Sequence, residues 1–287
     1  MSKTRILVSY SIALVTAISL FSTAAMANIN ALEQNMIENS IRDLRALALA
    51  TEEKFSAMSS LMTLTSKLPQ LPGTSHVSEM TPELYGVPEN VEVEKLLVAK
   101  QILSLNADIE AVALILPDGE LYVEEPFNSQ MNLTRTNFAF RDYFQGVLAN
   151  NGAAYLGEVY ISASSGASTS ATAMPVLSQD GELEGVWIGL LHLQNLDEFA
   201  KEMFESDADR RFVYADQYGH EVVYSNELVL SLEESSRPLA NMDMYKRAVA
   251  GESGWVIESI GGTEMFVAYH PVRAPSATWA VFFNAAQ

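Results

Sequence analysis

The sequence predicts an α+β fold in which a long N-terminal helix is followed by two similar lobes, each a five-stranded antiparallel sheet with flanking helices. Three observations predict it. Residues 28–67 contain neither proline nor glycine and space their apolar residues as a helix does. After residue 109 the spacing becomes strand-like, and the order of elements that begins there occurs twice. Consecutive strands joined by tight turns must be antiparallel.

The composition is that of a folded, acidic protein with room for two modest domains. Of the 287 residues, 48% are hydrophobic, and 17 basic against 36 acidic residues leave a formal net charge of −19. Nucleic acids and anionic membrane surfaces would be repelled, so neither is an expected partner. The acidity either attracts cationic ligands or forms a solvated surface. With no cysteine, the chain has no disulfide, thiolate chemistry or cysteine-based metal site.

Residues 1–27 have the pattern of an export segment. Lys3 and Arg5 precede an apolar run from Ile6 to Phe21, and small residues follow at 22–27. This pattern fits a cleaved signal peptide, and the run is also long enough to cross a bilayer as an uncleaved helix. In both cases the basic residues keep the start in the cytoplasm. We therefore expect the rest of the chain to be extracytoplasmic, either membrane-anchored or secreted.

Residues 28–68 are predicted to form the long helix. Apolar or small residues recur there at alternating spacings of four and three. They are Ile37, Ile41, Leu44, Ala48, Thr51, Phe55, Met58 and Met62. This stripe packs on its own domain, pairs with a second copy in a homodimer through its membrane-proximal part, or does both at different heights. Pro69, Pro72 and Gly73 end the helix, and a shorter helix is predicted at 91–105.

The two lobes are predicted from the internal repeat. In the first copy the short helix and the five strands fall at 143–152 and at 109–116, 121–123, 153–161, 170–177 and 186–193. In the second copy they fall at 245–254 and at 211–215, 221–224, 255–259, 265–272 and 278–283. A helix at 196–205 links the copies, so the lobes are placed at 69–205 and 206–287. We expect the helices of each lobe on one face of its sheet.

The first copy contains a longer loop than the second. Gly152 to Pro175 is six residues longer than Gly254 to Pro271, and the extra length falls at 162–167. A loop enlarged in one copy and flanked by aromatic and hydroxyl residues favours a ligand site in the first lobe only. The alternative is a neutral surface insertion.

Three short motifs resemble those of the double Cache family. They are Phe140-Arg141-Asp142-Tyr143-Phe144, Gly157-Glu158-Val159-Tyr160-Ile161-Ser162 and Gly185-Val186-Trp187-Ile188-Gly189. Members are extracytoplasmic sensor domains of chemoreceptors, histidine kinases and cyclic-dinucleotide enzymes. The resemblance implies a long helix beside two PAS-like lobes, with a small molecule bound in the membrane-distal lobe, here 69–205, and with 206–287 as the membrane-proximal lobe.

The resemblance also implies site residues. In family members that bind amino acids, an arginine and aromatics of the short helix hold the carboxylate, a tyrosine on the next strand closes the pocket, and an aspartate on the last strand holds the ammonium. Arg141, Tyr143 and Tyr160 match the first parts. Leu190 stands where the aspartate is expected and Tyr143 replaces a tryptophan, which puts α-amino-acid specificity in doubt.

The remaining candidates each have a structural alternative. Phe144, Ser162, Thr172 and His192 are predicted to contact the ligand, His192 because it lies two residues beyond Leu190 on the same strand face. A lone histidine on an apolar strand is more often packed in a core, and Phe144 is alternatively a core residue. Arg141 itself could instead pair with Asp142 or Glu158. The ligand is expected to be a small organic carboxylate or amine.

The sequence contains no motif of an enzyme. It lacks His-Glu-x-x-His, Gly-x-Ser-x-Gly, a phosphate-binding glycine loop and a calcium loop, and its four histidines lack metal-ligand spacing. No catalytic residue, metal or cofactor is therefore predicted. We favour a sensing domain of a signal-transduction or chemotaxis receptor over a freestanding exported solute-binding protein or a structural module without a ligand. A receptor also needs a signalling region, so either the natural chain continues past Gln287 or it acts through a partner.

Overall fold

The computed structural model describes residues 3–150, 152–203, 211–222, 239–260 and 262–285, with the side chains of the first helix described from residue 34 onward. The side chains of the proposed export segment, the strand end at 223–224 and the lobe boundary at 205/206 lie outside the described residues. Within the part of the chain that is described, none of the helices is both long enough and apolar enough to cross a membrane.

The long helix, α1 (Lys3–Thr65), packs on both lobes. Its predicted stripe is buried from Leu44 onward, so for that part the prediction of packing on its own domain is confirmed. Phe55 meets Trp279 of the second lobe edge to face, with ring centroids 5.2 Å apart. Ten residues further on, the Oγ1 of Thr65 accepts a hydrogen bond of 3.1 Å from the indole of Trp187 in the first lobe.

The first lobe contains the predicted antiparallel sheet. Its strands are β1 (Ile109–Ile115), β2 (Leu121–Glu125), β3 (Tyr155–Leu156), β6 (Ala171–Leu177) and β7 (Leu183–Leu191), in the order β2-β1-β7-β6-β3. A separate two-stranded ribbon pairs β4 (Tyr160–Ile161) with β5 (Ser168–Thr169). Its helices are α2 (Val93–Leu105), α3 (Phe127–Met131) and α4 (Asp142–Ala149).

The second lobe repeats this connectivity. After α5 (Gln194–Met203) come β8 (Arg211–Ala215), β9 (Glu221–Val222), α6 (Asp243–Val249), β10 (Gly254–Ile260), β11 (Thr263–Arg273) and β12 (Thr278–Ala285). The sheet order is β10-β11-β12-β8-β9. Read from its other end, it is the order of the first sheet with each strand replaced by its repeat counterpart. The predicted fold class and repeat are therefore confirmed.

Two details of the prediction are wrong. Helices cover both faces of each sheet, because α1 packs on one face while α4 in the first lobe and α6 in the second pack on the other. Residues 153–161 do not form one strand either. The chain leaves the sheet after β3, and the backbone N–H of Val159 donates to Asp216 of the second lobe at 2.8 Å.

Asp216 of the second lobe joins the lobes through a buried hydrogen bond from Val159 and is held in place by hydrogen bonds within its own turn. Its carboxylate accepts from the backbone N–H groups of Val159, Tyr218 and His220 and from the His220 ring, at 2.8–2.9 Å. A second acidic residue, Asp142 at the start of α4, accepts from the hydroxyl of Tyr218 at 3.3 Å. The first lobe's short helix and the second lobe's first turn are thus in direct contact.

Gly119 in the β1–β2 turn is crowded. Its φ is +92°, and an added Cβ would lie 2.6 Å from the backbone nitrogen of Ala139. We expect Gly119→Ala to lower the free energy of unfolding by about 2–4 kcal/mol, because strain in the left-handed region adds to overlap with backbone. The measurement is urea unfolding.

Gly181 in the β6–β7 turn provides the matched control. Its φ is +84°, but no atom lies within 4 Å of an added Cβ. Gly181→Ala should therefore cost only the conformational part, about 1–2 kcal/mol. Equal losses for the two variants would show that crowding at Ala139 does not matter.

Candidate functional site

A cavity lies in the first lobe on the sheet face opposite α1. Its volume is about 30 Å³, and it is partly open to solvent. Small side chains make the room: Ala111, Ala113, Ala171 and Ala173 of the central strands all lie on this face. The lining residues are Ala113, Ile115, Leu121, Glu124, Leu133, Phe138, Tyr143, Tyr160, Ser162, Ala163, Ser164, Ile188 and Leu190.

Two tyrosines form part of the cavity wall, and an arginine packs on one of them. Tyr143 of α4 and Tyr160 of β4 are buried, with ring centroids 5.7 Å apart. Arg141, the residue just before α4, lies over the ring of Tyr160 at 4.2 Å from its centroid, and its guanidinium donates to the carbonyl of Ile161 at 3.3 Å. Burial raises the pKa of both tyrosine hydroxyls, so both are neutral donors at physiological pH. The three strongest sequence candidates are therefore brought together.

One buried carboxyl also lines the cavity, and a second, partly buried one lies near it. Glu124 of β2 lines the cavity with 3% of its surface exposed. Burial raises the pKa of Glu124 to about 8, the negative charge of Glu110 adds to this, and a hydrogen bond with the side chain of Ser164 opposes it. Burial likewise raises the pKa of Glu110, while the charge of His192 and a hydrogen bond with Thr169 oppose it.

A β-bulge turns Glu110 toward this group. Ile109 pairs with Leu191 and Ala111 with Leu190, so Glu110 is the extra residue between adjacent partners on β7. Such an insertion breaks the alternation of side chains. The carboxylate of Glu110 consequently lies close enough to the carboxyl of Glu124 and to the hydroxyl of Tyr160 to raise the pKa of each.

The enlarged loop 162–167 covers the cavity. The backbone N–H of Ser162 donates to Ala167 at 2.8 Å and closes the loop, while Ser162, Ala163 and Ser164 line the cavity. The Oγ atoms of Ser162 and Ser164 lie 3.1 Å apart. The extra residues of the first copy are thus part of the cavity wall.

Four predicted residues do not line the cavity. Arg141 packs on the ring of Tyr160 and is not itself a lining residue. Phe144 is buried in the core beneath α4. The side chain of Thr172 points away from the cavity, because Thr172 lies between Ala171 and Ala173, whose side chains face it. Its partner Gly189 confirms the orientation, since a Cβ added there would meet Met62 of α1. Thr172 therefore lies on the α1 face. His192 is half-buried beyond the end of β7, where it interacts electrostatically with Glu110.

Leu190 does line the cavity, as its place in the family pattern requires. It offers no charge there, so the last strand supplies no acid. Sequence reasoning missed Glu124, which lines the cavity, and Glu110, which lies near Glu124. The only sequence signal was a pair of acidic residues at 124–125 in an apolar hairpin. Among the described residues, no group of three or more His, Asp or Glu side chains could hold a metal ion.

The long helix, the two lobes of identical connectivity and the covered cavity define a two-lobed sensor domain. The sequence comparison specifies it further. A family model described as a Cache domain, dCache_1, matches residues 17–287, and the chain belongs to this family. A search of curated protein sequences finds no significant match.

Solved structures share the fold at low sequence identity. The ligand-binding domain of the Pseudomonas aeruginosa PAO1 chemoreceptor PctB in complex with L-Arg superposes with a TM-score of 0.61 at 15% identity, covering 88% of each chain. The corresponding domain of Pseudomonas fluorescens CtaA with L-isoleucine gives 0.56 at 16%, covering 90% of this chain and 95% of its own. PctC of Pseudomonas aeruginosa PAO1 with GABA gives 0.56 at 16%, covering 88% and 99%.

Proposed function

We propose that this chain is an extracytoplasmic sensor domain that binds a small organic molecule in the cavity of its first lobe. The observation that carries the proposal is the cavity itself, where buried ionisable and aromatic side chains meet in an otherwise apolar space. Burying a carboxyl with an unpaired oxygen costs stability, so its presence at a cavity favours a ligand site over a purely structural module. The similar chemoreceptor domains that were solved with amino acids or GABA support the same kind of ligand.

Arg141 and the two tyrosines are proposed to orient the ligand. A guanidinium binds a carboxylate or another acceptor through parallel hydrogen bonds. The hydroxyls of Tyr143 and Tyr160 are neutral and can donate. Ser162 on the covering loop supplies a further hydroxyl at the cavity wall.

The domain organisation follows from the same proposal. Residues 1–27 export or anchor the chain, 28–68 form the helix that leads to the lobes, 69–205 form the membrane-distal ligand-binding lobe and 206–287 the membrane-proximal lobe. The exposed side chain of Met36, 63% accessible, lies on the part of α1 before the buried stripe and supports pairing of this part with a second copy in a homodimer.

A ligand screen tests the proposal. We expect at least one class among amino acids, carboxylates, amines, purines and pyrimidines to raise the melting temperature of the 287-residue chain, since a ligand that binds only the folded state stabilises it. Arg141→Ala should weaken a carboxylate-bearing ligand by about 10-fold to 100-fold, the value of one charge-assisted hydrogen bond.

Arg135→Ala is the matched control, because Arg135 also stacks on an aromatic ring, that of Phe140, at 5.0 Å, but is exposed. It should leave binding unchanged. Confirmed carboxylate ligands that bind Arg141→Ala as tightly as the parent would refute this role of Arg141, and a silent panel would favour the structural module.

A further inference from the structure

We propose that Glu124, with Glu110 beside it, forms a subsite for the ammonium group of the ligand, so that the ligand of this domain is an organic cation. The inference rests on the proposed function of the first lobe and specifies the chemical class that it senses. The subsite lies on β1 and β2, whereas the position on the last strand that the family pattern gives to an acid is occupied by Leu190.

Glu124 is buried and aimed into the cavity with an unsatisfied oxygen. Its Oε1 has no hydrogen-bond partner, and neither has the Oε1 of Glu110. Buried polar atoms are nearly always paired, so an orphan oxygen facing a cavity points to a partner that the protein does not supply. Among the described residues that line the cavity, none is Lys, Arg or His.

The register of the sheet explains why Glu124 faces the cavity. Glu124 pairs with Ala113 across β1 and β2, and both residues line the cavity floor. The neighbouring acid, Glu125, pairs with Val112, which packs toward α1, and its carboxylate lies 3.7 Å from Lys100 of α2. Two adjacent glutamates of one strand therefore have different surroundings. Glu125 lies near a lysine, although its Oε2 also has no hydrogen-bond partner, whereas Glu124 lines a cavity to which the described residues contribute no cation.

Among the described residues, the cavity wall contains the carboxyl of Glu124 and no cationic side chain. The guanidinium of Arg141 lies behind the ring of Tyr160, with its charge directed to that ring and to the carbonyl of Ile161. The acids lie on the sheet. A ligand with an ammonium group would place it against Glu124, while Leu121, Phe138 and Ile188 would contact an apolar body. An anion without an ammonium offers Glu124 no counter-charge, so it cannot stabilise the carboxylate as an ammonium does.

Glu124 carries a proton that is released when an ammonium group binds. The titratable groups that face Glu124 are Glu110 on β1, Tyr143 on α4 and Tyr160 on β4, with His192 facing Glu110. With its pKa raised to about 8, Glu124 is mostly protonated at pH 7. A bound ammonium stabilises the carboxylate, so the carboxylic acid loses its proton to solvent as the ion pair forms. Binding therefore releases up to one proton.

Calorimetry of the 287-residue chain tests the subsite with three matched probe sets. These are primary amines (butylamine, isopentylamine, phenethylamine), the carboxylates of similar shape (butanoate, 4-methylpentanoate, 3-phenylpropanoate) and the α-amino acids norvaline, leucine and phenylalanine. We expect probes with an ammonium to bind and the simple carboxylates not to bind. Affinity should rise up to tenfold per pH unit between about pH 6 and 8, and titrations in buffers of different ionisation enthalpy should show proton release.

Glu124→Gln and Glu125→Gln are the matched variants. Glu124→Gln should lower the affinity for the ammonium probes at least tenfold and abolish proton release. Glu125→Gln should leave the affinity and the proton release unchanged. If Glu124→Gln does not fold, proton release by the parent decides the question, because its absence overturns the subsite. Binding of ammonium probes that is indifferent to Glu124→Gln also overturns it.

The two proposals fail in different ways. If only simple carboxylates bind, and Arg141→Ala abolishes their binding, the sensing function stands and the ammonium subsite is wrong. If no probe of any class binds, the ammonium subsite is wrong, and silence of the wider panel as well removes the sensing function.

Discussion

Replacing Asp216 by alanine is expected to destabilise the chain by about 3–5 kcal/mol. The carboxylate accepts four hydrogen bonds at 2.8–2.9 Å and is fully buried. Without it, the backbone N–H groups of Val159, Tyr218 and His220 lose their acceptor, and each buried donor left unsatisfied costs about 1–3 kcal/mol before relaxation. Urea unfolding of parent and variant measures the difference.

Asp118→Ala is the control for this prediction. Asp118 occupies the corresponding turn of the first lobe, where its exposed carboxylate accepts one hydrogen bond of 3.1 Å from the Glu120 N–H. Its loss should cost no more than about 1 kcal/mol. A similar loss for the two variants would mean that the contact between the lobes contributes nothing beyond turn formation.

The stability of the chain is expected to fall as pH rises from about 4.5 to 8, and Glu124→Gln should remove much of this fall. Glu124 has an ordinary pKa of 4.5 and a folded-state pKa of about 8. The folded state therefore binds a proton that the unfolded state releases, so this contribution is complete below pH 4.5 and is lost as pH rises through 8. The linked free energy is on the order of 4–5 kcal/mol, about 1.4 kcal/mol per pH unit.

Urea unfolding at intervals from pH 4.5 to 9 measures this dependence. Glutamine cannot ionise, so Glu124→Gln should be more stable than the parent above pH 8. Some slope should persist, because burial also raises the pKa of Glu110 and Glu125. Glu182→Gln, in the exposed β6–β7 turn, should follow the parent. Parallel curves for Glu124→Gln and the parent would mean that Glu124 is ionised in the folded protein at neutral pH.

The repeat made most of the fold predictable. Strands, turns and the short helices depend on local patterns that occur in both copies, and Pro175 and Pro271 fix the correspondence between β6 and β11. The break after β3 was not predictable, because it depends on Asp216, a residue 57 positions beyond its partner Val159. The second helical layer was missed because α1 lies far in sequence from the sheets that it covers.

The site was predictable only in part. Arg141, Tyr143 and Tyr160 lie in motifs whose residues stay together, and the structure places them together. Glu110 was hidden because strict alternation assigns it to the face of Val112, and only the bulge next to Ala111 reverses it. Thr172 was assigned to the site for a different reason. Strict alternation correctly separates it from Ala171 and Ala173, but which of the two faces holds the cavity depends on where α1 and α4 pack.

The start of α4 contacts both the cavity wall of the first lobe and the second lobe. Arg141 packs on the cavity tyrosine, and the next residue, Asp142, accepts a hydrogen bond from Tyr218 of the other lobe. A shift of this helix end that closes the cavity cannot leave the second contact unaltered. Where ligand binding alters this contact, a change that favours one arrangement of the contact also changes ligand affinity, because the two equilibria are linked. The tuning of such a receptor can evolve at the junction between its lobes without any change to the residues that recognise its ligand.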